Sequence, residues 1–247
     1  MRVELAGVPE TLLWTLWHRA LEARRDDAVL DDPQAVELVA RIDYPFAERF
    51  GGNALVAQWQ ALRVVRFDQE IRRFLAANPD GTVVALGEGL ETQFSRVDNG
   101  RVRWVTVDLP ESIEVRGRLL PRDERQTAVT GSAFDEAWMD RVDPANGVLI
   151  TAQGLFMYFE FAAVERLVTA LRRRFPGGTL IFDAVRKSFL NRNREAGGDG
   201  YRPPPWLWAI DGDKRRALDA ERLRFPRGRG LLRLLPLTPI EILRARL

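Results

Sequence analysis

The sequence predicts an α/β fold built on a doubly wound, mostly parallel sheet. Short apolar runs alternate with helical stretches from residue 82 onward, which is typical of strand–helix–strand units. One run leads directly into a glycine-containing turn, and open α/β sheets bind their ligands at such turns. We predict a single domain with an N-terminal helical cap (1–80), a ligand-binding α/β core (81–186) and a loop with C-terminal lid or edge elements (187–247).

The composition excludes several kinds of site and partner. Lys and Arg total 37 against 35 Asp and Glu, so the formal charge of +2 gives no field that would attract nucleic acid. The absence of cysteine excludes thiolate metal sites and a cysteine nucleophile, and His18, the single histidine, argues against histidine metal sites and Ser-His-Asp triads. We therefore expect no metal. The chain lacks an 18-residue apolar window and a signal-peptide core, so we expect a cytoplasmic protein without membrane contact.

Three helices are predicted before the first strand. Apolar residues repeat at helical spacing over residues 9–24. A second helix is expected to begin at Asp32 and Pro33, because aspartate caps helices and proline is favoured at their first position. The third helix spans residues 53–77 and ends where residues 78–81 form a turn.

The strands and helices of the core are predicted from residue 82 onward, where apolar residues stop repeating at helical spacing and form short continuous runs. Residues 82–86 form a short apolar run bounded by turn residues, as expected for a parallel strand that is buried on both faces. Further strands are predicted at 102–108, 147–152 and 179–185, and helices at 91–97, 111–120, 134–141 and 160–174. Towards the end of the chain, the sequence predicts loops at 197–200 and 203–205, an edge strand at 231–235 and a final helix at 239–247.

The turn after the first strand predicts a nucleoside site. Gly87 and Gly89 carry no side chains, so a ligand can approach the backbone at the carboxyl end of this strand. Asp108 stands 21 residues after Gly87, at the end of the next predicted strand. A carboxylate at that place can accept hydrogen bonds from both hydroxyls of a ribose. The alternative is an ordinary turn with Asp108 as a strand-end cap.

The same turn argues against a dinucleotide. Thr92 occupies the position of the third glycine in the dinucleotide fingerprint, and Glu88 and Glu91 would repel a pyrophosphate at the helix N-terminus. A cationic ligand without phosphate fits an acidic turn better, and S-adenosylmethionine is the common ligand of this kind. An NAD(P) oxidoreductase is the less favoured alternative.

Three motifs carry a resemblance to a known family. The runs Leu86-Gly87-Glu88-Gly89-Leu90-Glu91-Thr92, Val107-Asp108-Leu109-Pro110 and Gln153-Gly154-Leu155-Phe156-Met157-Tyr158 resemble those of the leucine carboxyl methyltransferase family. This family includes bacterial tetracenomycin-type polyketide O-methyltransferases. The resemblance extends over about residues 20–185 and implies a Rossmann-like, class I S-adenosylmethionine-dependent methyltransferase fold.

The resemblance also implies roles for individual residues. Arg63 matches an arginine that reaches the methionine carboxylate, Gly87 matches a glycine that touches the methionine part, and Asp108 matches the aspartate that holds the ribose. The segment Ser132-Ala133-Phe134 matches one that packs on the adenine, and Gln153 stands beside the sulfonium end of the cofactor. The predicted cofactor site is completed by the neighbouring motif residues Glu88, Gly89 and Leu109.

Four positions depart from the family pattern. Glu88 replaces a small residue, Gln93 an arginine, and Ala133 an aspartate found in some members. Gln153 replaces a glutamate, which removes about 1–2 kcal/mol of attraction to a sulfonium unless Glu88 supplies the charge. Restoring glutamate at 153 is therefore expected to tighten cofactor binding. The departures also motivate an alternative, a degenerate paralogue that binds a nucleoside without catalysis.

The expected reaction is O-methylation of a small, possibly polyketide-like metabolite at a carboxylate or a phenolic hydroxyl. Methyl transfer is an in-line displacement, so the protein mainly aligns the reactants and excludes water. A carboxylate needs no base, whereas a phenol with a pKa of about 10 would benefit from one. The catalytic residue is not identified by the sequence, and Tyr158 and Gln153 are candidates.

Histidine and tryptophan residues allow two interpretations each. We expect His18 to pack in or on the N-terminal helix rather than to act as a base. Trp14 and Trp17 are expected to be core residues at helical spacing. Trp206 and Trp208 follow a Gly/Pro-rich loop, so they are candidates for a lid, although anchoring of the loop is the alternative.

Overall fold

The computed structural model describes residues 10–190, 204–234 and 238–247. Its strands are β1 (Thr82–Leu86), β2 (Arg103–Asp108), β3 (Gln126–Thr130), β4 (Val148–Ala152), β5 (Thr179–Val185), β6 (Ala220–Leu223) and β7 (Ile240–Arg246). Its helices are α1 (Thr11–Ala23), α2 (Pro33–Arg41), α3 (Phe46–Phe50), α4 (Ala54–Ala77), α5 (Gln93–Val97), α6 (Pro110–Leu119), α7 (Phe161–Arg174), α8 (Gly212–Ala217) and α9 (Leu231–Leu234). Within these ranges, no helix is long and apolar enough to cross a membrane.

The strands form one sheet in the order β3-β2-β1-β4-β5-β7-β6. Strands β1 to β5 pair in parallel, and β7 pairs antiparallel with both β5 and β6. The strand order reverses between β1 and β4, and ligands bind open α/β sheets at such a reversal. The predicted doubly wound, mostly parallel sheet is thus confirmed.

The predicted N-terminal helices are confirmed by their caps. The Asp32 carboxylate accepts the Ala35 amide at the start of α2, at 3.1 Å. Asn53 accepts the amides of Leu55 and Val56 at the start of α4, and α4 ends at Ala77, directly before the predicted turn. Both caps are local interactions between residues two or three positions apart, which is why the sequence predicts them.

Two C-terminal predictions are wrong. Residues 239–247 form strand β7 instead of a helix, because pairing with β5 over seven residues overrides the helical preference of Glu, Leu, Arg and Ala. The predicted edge strand 231–235 is helix α9 up to Leu234, and residue 235 lies outside the described residues. The loop predicted at 197–200 also lies outside them, as does residue 203.

Three smaller elements also differ from the predictions. The predicted helix at 134–141 is a 3₁₀ turn over Glu136–Arg141. Strands β3 and β6 were not predicted, because both carry polar residues and are largely exposed rather than buried on both faces. The division of the domain after residues 80 and 186 stays a prediction.

A buried ionic network attaches the helical cap to the glycine turn. Arg19 of α1 donates to Asp32 at 2.5 Å and to Glu91 at 3.0 Å. Arg96 of α5 pairs with Asp32 at 2.9 Å, Asp68 at 2.8 Å and Glu91 at 2.8 Å. Although burial opposes it, these carboxylates raise the pKa of Arg96. The network, defined here as these five residues, joins α1, α2, α4 and α5 at one point.

Removal of Arg96 should therefore destabilise the fold strongly. We expect Arg96→Met to cost about 3–5 kcal/mol in the free energy of unfolding, because three buried carboxylates lose a shared cation. The exposed Arg101, which pairs with Asp80, offers a matched control, and Arg101→Met should change stability little. Urea denaturation of both variants measures the difference, and equal losses would contradict the role of the network.

Candidate functional site

The turn after β1 requires glycine at two positions. Gly87 and Gly89 have φ angles of +62° and +54°, in the left-handed region that favours glycine. A Cβ atom at Gly87 would lie 2.9 Å from Leu155 Cδ1, and one at Gly89 would lie 2.9 Å from Leu12 Cβ. Leu12 of α1 and Leu155, in the loop that follows β4, thus contact the turn directly. A residue with a Cβ atom would not fit between them.

Two adjoining cavities open at the carboxyl edge of the sheet beside this turn. Both are lined by Gly87, Gly89 and Gly154, and by Thr11 and Leu12 of α1. The one beside β2, called here the β2 cavity, is further lined by Val107, Asp108, Leu109, Ser112, Gly131, Ser132, Ala133, Leu155 and Phe159. The one beside β4, called here the β4 cavity, includes Trp14, Trp59, Gln60, Arg63, Glu88, Glu91, Gln153, Met157, Tyr158 and Trp206.

Asp108 lies at the wall of the β2 cavity with its carboxylate fixed by the backbone. One oxygen accepts the Gly89 amide at 2.7 Å, and the other accepts the Leu109 amide at 2.8 Å. Burial raises the pKa of Asp108, against the opposing effect of these amide donors. The structure brings Leu109, Ser132 and Ala133 to the same cavity, as the sequence predicts.

Phe134 packs on aromatic residues that follow β4. Its ring packs against Phe159, with the ring centroids 4.2 Å apart, and against Phe156 at 6.2 Å. Phe159 in turn lines the β2 cavity. Phe134 therefore supports the cavity wall from behind, because an aromatic ring from the β4 loop takes the inner position.

Arg63 reaches the β4 cavity from α4 and is almost completely buried. Its Nη1 atom donates to Asp183 at 3.1 Å, and the other oxygen of Asp183 accepts the Gly154 amide at 2.7 Å. Burial raises the pKa of Asp183, while Arg63 and the Gly154 amide lower it. Asp183 is a positioning residue that the sequence analysis missed, since 120 positions separate it from Arg63.

Glu88 is turned towards the sheet rather than towards a ligand. Its carboxylate accepts from Arg116 at 2.8 Å, from Thr106 at 2.5 Å and from Trp104 at 3.2 Å. The Arg116 side chain also donates to the carbonyl of Gly89. Because these partners hold the carboxylate in place, Glu88 does not supply a negative charge beside Gln153, which the sequence left open as one alternative.

Glu91 supplies that charge instead. Gln153 donates from Nε2 to Glu91 Oε2 at 3.0 Å, and both side chains line the β4 cavity. Although burial opposes ionisation, Arg19 and Arg96 hold the pKa of Glu91 at about 2. An ionised carboxylate thus lies in hydrogen-bond contact with the neutral side chain at position 153.

Aromatic side chains form the walls of the β4 cavity. Trp14 and Trp59 lie with ring centroids 6.3 Å apart, and Tyr158, Met157 and Trp206 line the same space. Burial raises the pKa of Tyr158, so its hydroxyl stays protonated at neutral pH. The prediction that Trp14 is a core residue is wrong, since the packing of α1 on α4 turns its ring into the cavity.

The other residues that the sequence singles out, His18, Trp17 and Trp208, are buried and pack within the protein. His18 is buried and its Nδ1 lies 2.8 Å from the Trp14 carbonyl, which confirms the expected helix-packing role. Trp17 stacks on Phe46 in the cap, as predicted for a core residue. Trp208 is buried, and its indole donates to the Phe156 carbonyl at 2.9 Å, so it anchors its loop and is not a lid.

Several buried polar atoms around the β4 cavity have no hydrogen-bond partner among the described residues. They include Gln60 Oε1 and Nε2, Arg63 Nε and Gln153 Oε1. Native proteins rarely leave such atoms unpaired, and a missing ligand is one of the accepted reasons when they do. Their concentration at one cavity indicates that a polar ligand completes them.

Comparison with known proteins identifies the family. A model of the family described as leucine carboxyl methyltransferase matches residues 12–172. The chain belongs to the leucine carboxyl methyltransferase family. Over 184 residues it is 38% identical to the tetracenomycin polyketide synthesis O-methyltransferase TcmP of Streptomyces glaucescens, covering 74% of this chain and 68% of that protein. It is also 28% identical to a methyltransferase of Gibberella zeae, again covering 74% and 68%.

Solved structures support the fold. An S-adenosylmethionine-dependent methyltransferase of Anabaena variabilis aligns with a TM-score of 0.52 at 16% identity, covering 74% of this chain and 84% of that one. A small RNA methyltransferase aligns at 0.53 with 12% identity, covering 76% and 26%. At such identities the likeness concerns the fold alone. Family and fold together identify the chain as an S-adenosylmethionine-dependent methyltransferase. The alternative of an NAD(P) oxidoreductase is therefore wrong.

Two departures from the family pattern now have a structural context. Gln93 donates to Asp68 at 2.8 Å, and Arg96, one helical turn later, supplies a guanidinium to the same carboxylate. Ala133 lines the β2 cavity without a polar side chain, and its carbonyl accepts from Trp138 at 3.0 Å. Gln93 and Arg96 thus share the Asp68 carboxylate.

The contact between Gln153 and Glu91 predicts that Gln153→Glu lowers the stability of the fold. The introduced carboxyl would face the ionised Glu91 at about 3 Å, so we expect a loss of about 1–3 kcal/mol in stability at neutral pH. The repulsion raises the pKa of the introduced group, so the loss should shrink as the pH falls through that raised pKa. Gln153→Met is the control, since its loss should not depend on pH over this range. Thermal unfolding from pH 4 to 8 measures both.

Proposed function

We propose that this methyltransferase transfers the methyl group of S-adenosylmethionine to a carboxylate oxygen of a small aromatic molecule. The observation that carries the proposal is an aromatic-walled cavity that adjoins the predicted cofactor site. Trp14, Trp59 and Trp206 form walls that suit a flat, apolar ring.

The charges of the two cavities fit the cofactor. In this proposal Asp108 accepts the ribose hydroxyls in the β2 cavity, and the adenine lies near Ser132 and Ala133. The methionine part passes Gly87 and Gly89 into the β4 cavity, where Arg63 holds its carboxylate. The unpartnered Arg63 Nε and the bare glycine backbone support this fit.

Gln153 and Glu91 lie where the positive end of the cofactor would be. The ionised Glu91 supplies a negative charge, and Gln153, which it holds, leaves its Oε1 without a partner among the described residues. A sulfonium is stabilised by such a negative field, and the product thioether is not. The bound cofactor supplies an electrophilic methyl group, and these side chains orient it without accepting a proton.

The acceptor must then attack in line with the breaking carbon–sulfur bond. One new C–O bond forms as the C–S bond breaks, and its electron pair neutralises the sulfonium. The enclosing walls exclude water and hold the acceptor close, which supplies most of the catalysis of such a displacement. No proton needs to move if the attacking oxygen is already ionised.

The titratable groups of the β4 cavity favour a carboxylate over a phenol. Burial raises the pKa of Tyr158, which keeps it protonated, and Arg19 and Arg96 hold the pKa of Glu91 at about 2. Asp183 is bound to Arg63, Glu88 is bound to Arg116, and His18 packs within α1. None of these described residues is placed and poised to take a proton from a phenol near neutral pH.

Relatives support an oxygen acceptor on a small molecule. TcmP is named as an O-methyltransferase of tetracenomycin polyketide synthesis, and polyketide products of that kind are compatible with an aromatic cavity. The even balance of 37 basic and 35 acidic residues supports a small acceptor over RNA. The alternative, a degenerate paralogue, is motivated by the departures at Glu88, Gln93, Ala133 and Gln153.

The chemistry of the product tests the proposal. Purified protein with S-adenosylmethionine should add one methyl group to aromatic carboxylic acids as an ester. Mild base should remove that group, because esters hydrolyse where aryl methyl ethers do not. Matched phenols without a carboxyl group should not react. A base-stable product would identify a phenolic acceptor instead. Cofactor binding without any transfer across the whole panel would favour the degenerate paralogue.

Asp108→Asn should weaken cofactor binding by about 2–3 kcal/mol, because the ribose hydroxyls lose a charged acceptor. Burial raises the pKa of Asp108, so wild-type affinity should decline with falling pH earlier than an ordinary aspartate would predict. The asparagine variant should lack this decline. Calorimetry with S-adenosylhomocysteine measures both effects, and Asp80→Asn, on the exposed surface, is the control. Unchanged affinity in a folded variant would remove Asp108 from the site.

A further inference from the structure

We propose that Gln60 selects the acceptor, and that the preferred acceptors are aromatic carboxylic acids with a hydroxyl group beside the carboxylate. The inference rests on the proposed function, because it assigns the β4 cavity to the acceptor. It concerns a side chain that neither the glycine turn nor the cofactor site uses. Gln60 lies on α4 and lines the β4 cavity.

The amide of Gln60 is buried without a partner. The residue is 1% exposed, and neither Oε1 nor Nε2 has a hydrogen-bond partner among the described residues. A buried amide that makes no hydrogen bond lowers the stability of the folded state. Sites that bind ligands are where proteins retain such a cost, because the ligand restores the bonds.

A second glutamine on α4, Gln58, shows that a buried glutamine of this helix can have a hydrogen-bond partner. Gln58 is also buried, but its Oε1 accepts the Arg229 amide at 2.5 Å. Two positions later on α4, Gln60 lies in the wall of the β4 cavity, and no residue that the structure describes bonds its amide. The two residues therefore form a matched pair, one with a structural partner and one without.

The surroundings of Gln60 indicate which part of the ligand it would meet. Arg63 lies three residues further along α4, on the same face, and is assigned to the cofactor carboxylate. Trp14 and Trp59 line the cavity with apolar rings. A neutral amide among aromatic walls can bind the polar edge of an acceptor ring.

The chemistry of an amide then defines the acceptor class. Gln60 has one donor group, Nε2, and one acceptor atom, Oε1, side by side. The donor suits the spectator oxygen of the reacting carboxylate, and the acceptor atom suits a hydroxyl on the neighbouring ring carbon. A site built to bond a hydroxyl discriminates strongly against an analogue without it, because its own polar atoms are left unpaired.

Binding of three acids to the protein saturated with S-adenosylhomocysteine tests the proposal without turnover. Wild type should bind salicylate at least about tenfold more tightly than benzoate or para-hydroxybenzoate. Gln60→Met keeps the size of the side chain and removes both polar atoms, so the preference should disappear. The same variant should raise the melting temperature of the free protein by a few degrees, because an unpaired buried amide is lost.

Gln58→Met is the control and should behave in the opposite way. It removes the acceptor of the Arg229 amide, so the melting temperature should fall while the preference for salicylate stays. A wild-type protein without preference, or a Gln60→Met variant that keeps it, would overturn the role of Gln60. Base-labile methylation of all three acids at equal efficiency would leave the proposed function intact and refute this inference alone.

Discussion

The buried ionic network around Glu91 is the interaction on which the rest of the site depends. Arg19 and Arg96 bind its carboxylate from two different helices, and the remaining oxygen accepts from Gln153. Each of these charges is costly to bury alone, so each requires the others in place. Helix packing, the shape of the glycine turn and the electrostatics at the end of β4 therefore form a single unit.

The parts of the fold that follow from short-range rules could be predicted from the sequence. Asp32 caps α2 and Asn53 caps α4 through contacts within three residues, and the apolar run 82–86 is buried as expected. The two glycines and Asp108 also meet at the sheet edge, since the carboxyl ends of parallel strands converge there. Local rules sufficed for these features because the relevant partners are near in sequence or fixed by strand direction.

The rest depends on contacts between distant positions. The sequence does not reveal that Glu88 bonds Arg116, 28 residues later, or that Glu91 bonds Gln153, 62 residues later. The same holds for residues 239–247, whose preference for a helix is overridden by a neighbouring strand. In each case a side chain or a segment has two acceptable local states, and tertiary pairing decides between them.

The cavity wall formed by Trp14 and Trp59 has a consequence for how this protein can change. These residues come from helices that precede β1, whereas the glycine turn and Asp108 belong to the sheet edge. Under the proposed function, substitutions at Trp14 and Trp59 alone can therefore alter which molecules are accepted, while the glycine turn and Asp108 stay unchanged. Such a separation lets one scaffold diversify its chemistry through a few positions, and it offers a defined set of sites for directed evolution.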